Sequence, residues 1–197
     1  PTSGRIIFDG TDITDYGFRE MKPIRRNLQM IFQDPYASLD PRMRVGECIG
    51  EPLALQQPAL TRDERRTAVL KLMEQCGLPE KDYEKFPHEF SGGQRQRIGI
   101  ARALVLHPKL LLCDEPVSAL DVSIQAQVVN LMMKLQREYE LTMLFISHDL
   151  SVISHVADRV AVMYLGRIVE MGSRQQIFQV LHELVPTFRS PEDVNRE

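Results

Sequence analysis

The spacing of apolar residues changes along the chain, and each change predicts a different kind of element. Residues 5–9 and 28–33 are short apolar runs typical of β-strands. A segment of helical character, residues 18–26, lies between them and is interrupted by Pro23. Residues 33–47 contain two prolines and are predicted to be a loop.

From residue 43 to 106 the apolar residues recur every three or four positions, which predicts a mostly helical block. Its clearest helix begins with Thr61 and Glu64, whose spacing of three residues is the pattern of a capping box. Gly77 and Pro79 are expected to end that helix. The side of the helix that faces the core is predicted to consist of Ala68, Val69, Leu72, Met73 and Cys76.

After residue 107 the pattern changes again. Residues 109–116 and 141–149 contain continuous apolar runs, which are typical of strands buried on both faces of a parallel sheet. The segment 122–139 between them has helical spacing, and residues 159–172 predict two strands joined near Gly166. This strand–helix–strand alternation predicts an α/β fold with right-handed crossovers, into which the helical block is inserted.

Composition narrows the class of protein further. The 197 residues are 43% hydrophobic and 26% charged, which is typical of a globular protein with a core of its own. The formal net charge of −3 weighs against a nucleic-acid surface. Three scattered cysteines without a C-x-x-C spacing indicate buried thiols rather than a disulfide framework or a zinc site.

The two ends of the sequence also suggest how the chain is organised. The sequence has neither an apolar run of membrane-spanning length nor a basic-then-apolar leader. It opens on PTSGRIIFDG, which lacks Met and leads directly into a predicted strand. We therefore expect the natural N-terminus to lie outside these residues. From residue 173 onward we expect a partly helical segment that ends in a loose polar tail.

The stretch FSGGQRQRIGIARAL, residues 90–104, has the composition of an anion-binding site. Ser91, Gly92 and Gly93 stand immediately before an Arg-rich run of helical spacing that continues to residue 106. Glycine allows a ligand to approach the main chain closely, and the free N–H groups of a helix start point toward negative charge. The sequence nevertheless contains no G-x-x-x-x-G-K-[ST] phosphate-binding loop.

Two adjacent acids, Asp114 and Glu115, follow the apolar run LLLC. Ligands of parallel α/β sheets bind at the carboxyl ends of the strands, where these acids are predicted to lie. Because neighbouring strand residues point to opposite faces, one acid is expected to hold Mg²⁺ through water and the other to orient and deprotonate a water molecule. Acids that merely terminate a strand are the alternative, and these residues alone leave both interpretations open.

Three more polar residues stand at predicted element ends. His148 follows a second buried strand and is able to donate a hydrogen bond to a phosphate oxygen or a reacting water, although an isolated histidine is more often structural. Gln33 ends the strand LQMIFQ, where its amide would touch a metal-bound water. Asp121 stands at a predicted helix start, where an ordinary N-cap is the simpler interpretation.

Taken together, five patterns occur in a characteristic order. They are Gln33, FSGGQ at 90–94, LLLCDE ending at Glu115, SALD ending at Asp121, and His148. In this order they resemble the Q-loop, signature motif, Walker B strand, D-loop and switch histidine of the nucleotide-binding domain of ABC transporters, with Phe90 where leucine is usual. The resemblance implies a P-loop NTPase-like, RecA-like parallel sheet with an inserted α-helical subdomain and an N-terminal part that is missing.

The resemblance also implies an organisation of the chain as a single, partial ABC ATPase domain, 1–197. The catalytic α/β core would comprise residues 1–39 and 107–172, and the helical subdomain with the signature would comprise residues 40–106. Residues 173–197 would form a C-terminal tail. Residues 29–53 further resemble the ATPases of peptide and nickel importers, the oligopeptide and dipeptide permease group, but the tail lacks the His-Pro-Tyr-Thr segment of that group.

The cofactors implied by the resemblance are ATP and Mg²⁺. Glu115 would be the general base, His148 would contact the γ-phosphate, and the Mg²⁺ ion with its waters would be held by Asp114 and Gln33. In this family two domains pair head to tail, so the signature of one contacts ATP bound by the other. The residues implied to contact nucleotide or to signal across that dimer are Gln33, Ser91, Gly92, Gly93, Gln94 and Asp121.

The partners implied are a second ABC ATPase subunit, identical or paralogous, and transmembrane permease subunits, with a solute-binding protein acting indirectly and no nucleic acid. The implied activity is ATP hydrolysis coupled to import of peptides or similar small solutes, at the cytoplasmic face of a bacterial inner membrane. Alternatives are a translation-type or DNA-repair-type ABC ATPase and an inactive regulatory fragment. Gln33 and Ser91 are only 58 positions apart without sustained heptads, which disfavours the DNA-repair type.

Overall fold

The computed structural model describes residues 3–34 and 38–184. Near its beginning, β1 (Ile7–Phe8) pairs with β2 (Thr11–Asp12) in an antiparallel hairpin turned by Asp9 and Gly10, which both have positive φ. The predicted strand at 5–9 is therefore only two residues long. Its apolar side chains are largely exposed, so no burial extends the pairing.

Helix α1 (Met21–Asn27) leads directly into β3 (Leu28–Ile31). The expected interruption at Pro23 does not occur. Pro23 is the third residue of the helix, in the first turn, where its missing N–H would have had no intrahelical acceptor. Strand β3 is also shorter than predicted: it ends at Ile31, two residues before Gln33.

The helical part consists of α2 (Val45–Gln56), α3 (Arg62–Gln75) and α4 (Gly92–Leu104), with two short 3₁₀ turns at Glu80–Asp82 and Pro87–Glu89. The capping box of α3 is confirmed, since Thr61 and Glu64 exchange backbone-to-side-chain hydrogen bonds. Gly77, with a φ of 71°, follows the end of this helix as predicted. The three helices share one apolar core that includes Ile49, Val69, Met73 and Ile98.

A three-stranded parallel sheet lies next to these helices. β4 (Leu110–Asp114) occupies its centre between β3 and β5 (Thr142–Ile146), and α5 (Val122–Tyr139) is the crossover from β4 to β5. The predicted parallel α/β arrangement is confirmed for these strands. Their carboxyl ends meet at one edge, where Asp114 pairs with Ile146.

The expectation of strands buried on both faces is wrong for this sheet. Leu111 and Cys113 are buried on the face that belongs to the common core with α4 and α5. On the opposite face Leu144 and Ile146 of β5 are 53% and 46% exposed. A continuous apolar run therefore does not imply two covered faces, since the described helices cover one face more completely than the other.

The remaining described elements are α6 (Leu150–Val156), an antiparallel hairpin of β6 (Arg159–Tyr164) and β7 (Arg167–Ser173), and α7 (Arg174–Leu184). The turn at Leu165 and Gly166, both with positive φ, confirms the predicted joint. Most of the predicted polar tail lies outside the described residues. Over the described ranges, no helix combines the length and apolarity needed to cross a lipid bilayer.

Candidate functional site

Three of the predicted site residues form one hydrogen-bonded group at the carboxyl edge of the sheet. The Gln33 Nε2 donates to Glu115 Oε2 over 2.9 Å, and the His148 Nδ1 lies 3.1 Å from Glu115 Oε1. Each residue follows a different strand: Gln33 follows β3, Glu115 follows β4 and His148 follows β5. We call these three residues the carboxylate cluster.

The backbone around Glu115 fixes the direction of its side chain. β4 ends at Asp114, and Glu115 has a φ of 44°, in the left-handed region that a glutamate rarely adopts. Its N–H donates to the Ile146 carbonyl over 3.0 Å, and its carbonyl accepts from the Ser118 N–H and hydroxyl. The alternation of strand side chains therefore does not apply to Glu115, because this residue lies beyond the strand. The left-handed φ of Glu115 and the turn that begins at this residue set the direction of its side chain instead.

The charge of Glu115 is controlled by its neighbours. The hydrogen bond with His148 is the largest effect, and with further hydrogen bonds from Ser118 and Gln33 it holds the pKa of the Glu115 carboxyl below its ordinary value. Glu115 is thus an ionised carboxylate at neutral pH. Its side chain is 25% exposed and that of His148 is 71% exposed, so both groups are accessible to a ligand from solvent.

Asp114 lies beside the cluster as the last residue of β4 and is half-buried. No hydrogen-bond partner for its carboxylate occurs among the described residues. Within the same residues, no group of three or more His, Cys, Asp or Glu side chains is arranged to hold a metal ion by itself. A pair of acids with one amide suits Mg²⁺, which keeps several of its waters, better than a metal that requires a full set of protein ligands.

The second candidate group is the start of α4, residues 91–94, which we call the signature turn. Ser91 is the N-cap: its hydroxyl accepts from the Gln94 N–H over 3.3 Å, while Gln94 Oε1 accepts from the Ser91 N–H over 3.0 Å. This exchange satisfies two polar groups locally. It leaves the N–H groups of Gly92 and Gly93 directed out of the helix start, as at any helix N-terminus.

Packing gives a second reason for the glycines of the signature turn. A Cβ on Gly93 would lie 2.3 Å from Cγ2 of Ile124, and one on Gly92 would lie 3.5 Å from Cδ2 of Leu120. The signature turn is therefore pressed against the first turn of α5. Sequence reasoning assigned these glycines to ligand approach alone and missed this contact, since nothing in the local pattern indicates which helix lies opposite.

Asp121 is the N-cap of α5, with Oδ1 accepting from the Ile124 N–H over 3.1 Å and from the Ser123 hydroxyl over 3.2 Å. An ordinary N-cap, the simpler interpretation of Asp121, therefore accounts for the contacts that this residue makes within the chain. The structure places it near the signature turn, next to the helix turn that packs on Gly93. No hydrogen bond within the described residues joins the signature turn to the carboxylate cluster directly.

Two further residues of the site were missed by the sequence analysis. Asp149, next to His148, is the N-cap of α6, and Gln125 of α5 donates to Asp149 Oδ2 over 3.0 Å. The signal for Asp149 was present, because Asp is among the residues preferred at an N-cap and it stands directly before a short helix. The partner Gln125 could not be recognised, since its contact depends on how α5 and α6 pack.

The fold and this arrangement define a class of protein, the ATP-binding cassettes. The structure of cbiO1 from Clostridium perfringens, part of the ABC transporter complex cbiONQ, is 30% identical and superposes with a TM-score of 0.80, covering 94% of this chain and 74% of that one. The dimeric structure of a post-hydrolysis state of the cassette MJ0796, bound to ADP and Pi, is also 30% identical, with a TM-score of 0.78 over 88% of this chain and 75% of that one. The predicted fold class is confirmed.

The family follows from sequence comparison. Residues 1–118 match the profile of the ABC transporter family, and the chain belongs to that family. The oligopeptide transport ATP-binding protein OppF of Salmonella typhimurium is 54% identical over 177 residues, which are 90% of this chain and 53% of that protein. AppF of Bacillus subtilis, also an oligopeptide transport ATP-binding protein, is 50% identical over the whole chain and 62% of its own length. The chain thus spans about half the length of the curated relatives it matches.

Proposed function

We propose that this chain is part of the ATP-hydrolysing subunit of an ABC transporter that imports peptides or similar small solutes. The observation that carries the proposal is the carboxylate cluster, in which an ionised Glu115 is held between an amide and an imidazole at the carboxyl edge of a parallel sheet. Similarity to OppF and AppF supports a peptide importer rather than a translation-type or DNA-repair-type ATPase.

In this proposal Glu115 accepts the proton of the water that attacks the γ-phosphate. Its lowered pKa keeps it ionised, and its hydrogen bonds orient it. His148, whose ring is largely exposed, donates to a γ-phosphate oxygen and steadies the charge that develops there.

Asp114 and Gln33 would hold Mg²⁺ through its waters, and the bound ion would neutralise phosphate charge. Gln33 already touches Glu115, so an amide that contacts both the base and a metal-bound water would sense whether nucleotide is present. The Gln33 side chain is exposed and the chain after it leads to the helical part, which suits a role in reporting to a partner.

The signature turn would bind the γ-phosphate of ATP held by a second ABC ATPase subunit. The support is physical: the N–H groups of Gly92 and Gly93 lie at the positive end of α4, with Ser91 and Gln94 beside them. Asp121, at the adjacent helix start, would carry signals between the two subunits.

The further partners proposed are transmembrane permease subunits, with a solute-binding protein acting indirectly, at the cytoplasmic face of a bacterial inner membrane. We propose no nucleic-acid partner. We also propose that the 197 residues alone neither bind ATP tightly nor hydrolyse it, because the sequence lacks a phosphate-binding lysine loop.

The proposal is tested by replacing Glu115 with Gln in the full-length protein and measuring Mg²⁺-dependent ATP hydrolysis and ATP binding separately. We expect turnover to fall by roughly 10³-fold, because general-base catalysis contributes about 10²–10⁴-fold, while ATP binding is retained. Glu138→Gln is the matched control, since Glu138 is an exposed glutamate of α5 far along the helix from the site. The 197-residue chain serves as a negative control. Near-normal turnover in the Glu115 variant would contradict the assigned base.

A further inference from the structure

The first turn of α5 contacts both candidate groups at once. Ile124 lies against Gly93 of the signature turn, at the position where a glycine Cβ would be. The next residue, Gln125, has a half-buried side chain that points to the other group and donates from Nε2 to Asp149 Oδ2 over 3.0 Å. Two consecutive residues of one helix therefore join the start of α4 to the segment that carries His148.

Asp149 is held from two sides. Its Oδ1 accepts from the Ser151 N–H over 2.8 Å and from the Val152 N–H over 3.4 Å, which caps α6, and its own N–H donates to the Ser147 hydroxyl over 3.0 Å. Its Oδ2 is used by Gln125 alone among the described residues. The local bonds fix Asp149 to its own turn, whereas the bond from Gln125 fixes that turn to α5.

His148 depends on this turn for its position. Its ring is 71% exposed, and among the described residues the ring makes one hydrogen bond, with Glu115 Oε1. A ring so exposed is not confined by packing, so its nitrogens are located by the position of its backbone together with the single hydrogen bond to Glu115. The backbone belongs to the turn that Gln125 holds through the adjacent residue.

We infer that Gln125 is a positioning residue for His148: by binding Asp149 it fixes the histidine relative to α5 and, through Ile124, to the signature turn. This inference rests on the proposed function for its effect on ATP hydrolysis. The arrangement links two groups that would serve two different nucleotides in a dimer, because the signature turn would serve the nucleotide of the partner. Gln125 itself touches neither nucleotide nor water in this scheme.

The test uses the full-length protein and compares three substitutions. Gln125→Met keeps the length of the side chain and removes the donor, Gln125→Lys keeps a donor for Asp149, and Gln127→Met is the control at an exposed glutamine of the same helix. We expect the turnover number to fall roughly tenfold in Gln125→Met with an unchanged KM for ATP, as for the loss of other orienting partners. For Gln125→Lys and Gln127→Met we expect turnover to fall by no more than about twofold relative to the unsubstituted protein. This is clearly smaller than the roughly tenfold loss expected for Gln125→Met.

A spectroscopic measurement tests the same inference without relying on hydrolysis. In protein labelled at histidine rings, the His148 signal, assigned through His148→Gln, should shift in Gln125→Met, return in Gln125→Lys and stay in place in Gln127→Met. An unmoved His148 signal in Gln125→Met overturns the inference. A turnover number of Gln125→Met equal to that of Gln127→Met also overturns the inference.

The two proposals fail in different ways. If the unchanged protein hydrolyses no ATP, the proposed function fails, but the histidine signals still decide whether Gln125 positions His148. If Gln125→Met does not fold, as judged by circular dichroism, the pair Gln125→Lys and Gln125→Glu replaces it, because the first donates to Asp149 and the second repels it at neutral pH. Identical His148 signals in that pair overturn the inference as well.

Discussion

The signature turn and the carboxylate cluster are built in opposite ways. In the signature turn, Ser91 and Gln94 lie three residues apart and satisfy each other. In the carboxylate cluster, Gln33 lies 82 positions from Glu115, and Glu115 lies 33 positions from His148. One group is formed by a local sequence pattern, whereas the other exists only when three strands pair in the correct order. We therefore expect mutations to affect the signature turn and the carboxylate cluster in different ways.

The two groups also differ in charge: the signature turn is electrostatically positive, and the carboxylate cluster is negative. The signature turn presents backbone N–H groups at the positive end of a helix, which attract a phosphate directly. The cluster presents an ionised carboxylate, which repels a phosphate unless a cation or a water lies between them. A triphosphate between two such surfaces would thus be bound on one side and attacked by water on the other.

The largest effect is expected from adding one methyl group to the signature turn. In Gly93→Ala the new Cβ would lie 2.3 Å from Cγ2 of Ile124, a branched side chain that cannot turn away freely. We expect the free energy of unfolding to fall by about 1–3 kcal/mol, the usual effect of overpacking. Thermal and urea unfolding of the full-length protein measure it.

Gly99→Ala is the matched control for this change, because Gly99 belongs to the same helix and, among the described residues outside that helix turn, a Cβ there meets no atom within 4 Å. It should raise stability by about 0.5–1 kcal/mol, as alanine favours a helix interior. The double variant Gly93→Ala with Ile124→Ala separates two explanations. Recovered stability without recovered ATP hydrolysis indicates that ligand approach, rather than packing, requires Gly93. If Gly93→Ala lowered stability as much in the Ile124→Ala background as it does alone, the packing account would be contradicted.

A smaller effect should distinguish the cap of the signature turn from an ordinary cap. Ser91 and Thr61 are N-caps of the same kind, each in a capping box and each with an exposed side chain. Ser91→Ala and Thr61→Ala should each lower the free energy of unfolding by about 1 kcal/mol. ATP hydrolysis, measured on the same samples, should fall in Ser91→Ala alone. If both variants lose activity equally, the serine acts only as a cap.

The sequence predicted well whatever depends on neighbouring residues. The capping box at Thr61, the end of that helix at Gly77 and the hairpin turn at Gly166 are each decided within a few positions, and the structure contains them. The parallel sheet was also predictable, because an amphipathic helix between two apolar runs permits few other arrangements.

Features that depend on distant partners were predicted less well. The exposed face of β5 was missed, because an apolar run does not indicate how many faces are covered. The contact of Gly93 with Ile124 and the bond from Gln125 to Asp149 require knowledge of helix packing. In the carboxylate cluster, the identities of Gln33, Glu115 and His148 were predictable from their order, but the left-handed turn that directs Glu115 was not.

The smallest expected effect concerns the charge of the carboxylate cluster. The hydrogen bond with His148 is the largest cause of the lowered pKa of Glu115, so His148→Ala should raise that pKa toward its ordinary value. Gln33→Ala should raise it less, since its bond is the weakest of the causes. A carbon NMR titration of the Glu115 carboxyl measures both shifts, with Glu64 as control, because the pKa of Glu64 is lowered by its own helix cap at Thr61.

The sign of the accompanying change in stability is determined by linkage. Because the pKa of Glu115 is lower in the folded chain than in the unfolded one, its ionised form stabilises the fold above the unfolded pKa, and this stabilisation is lost as the pH falls through the folded pKa. Removing the His148 ring brings the folded and unfolded pKa values of Glu115 closer to each other, so the stability should depend less on the ionisation of Glu115 in acid. An unchanged Glu115 titration in His148→Ala would show that the strand-end contact does not persist in solution. The cluster would then lack the long-range assembly that distinguishes it from the signature turn.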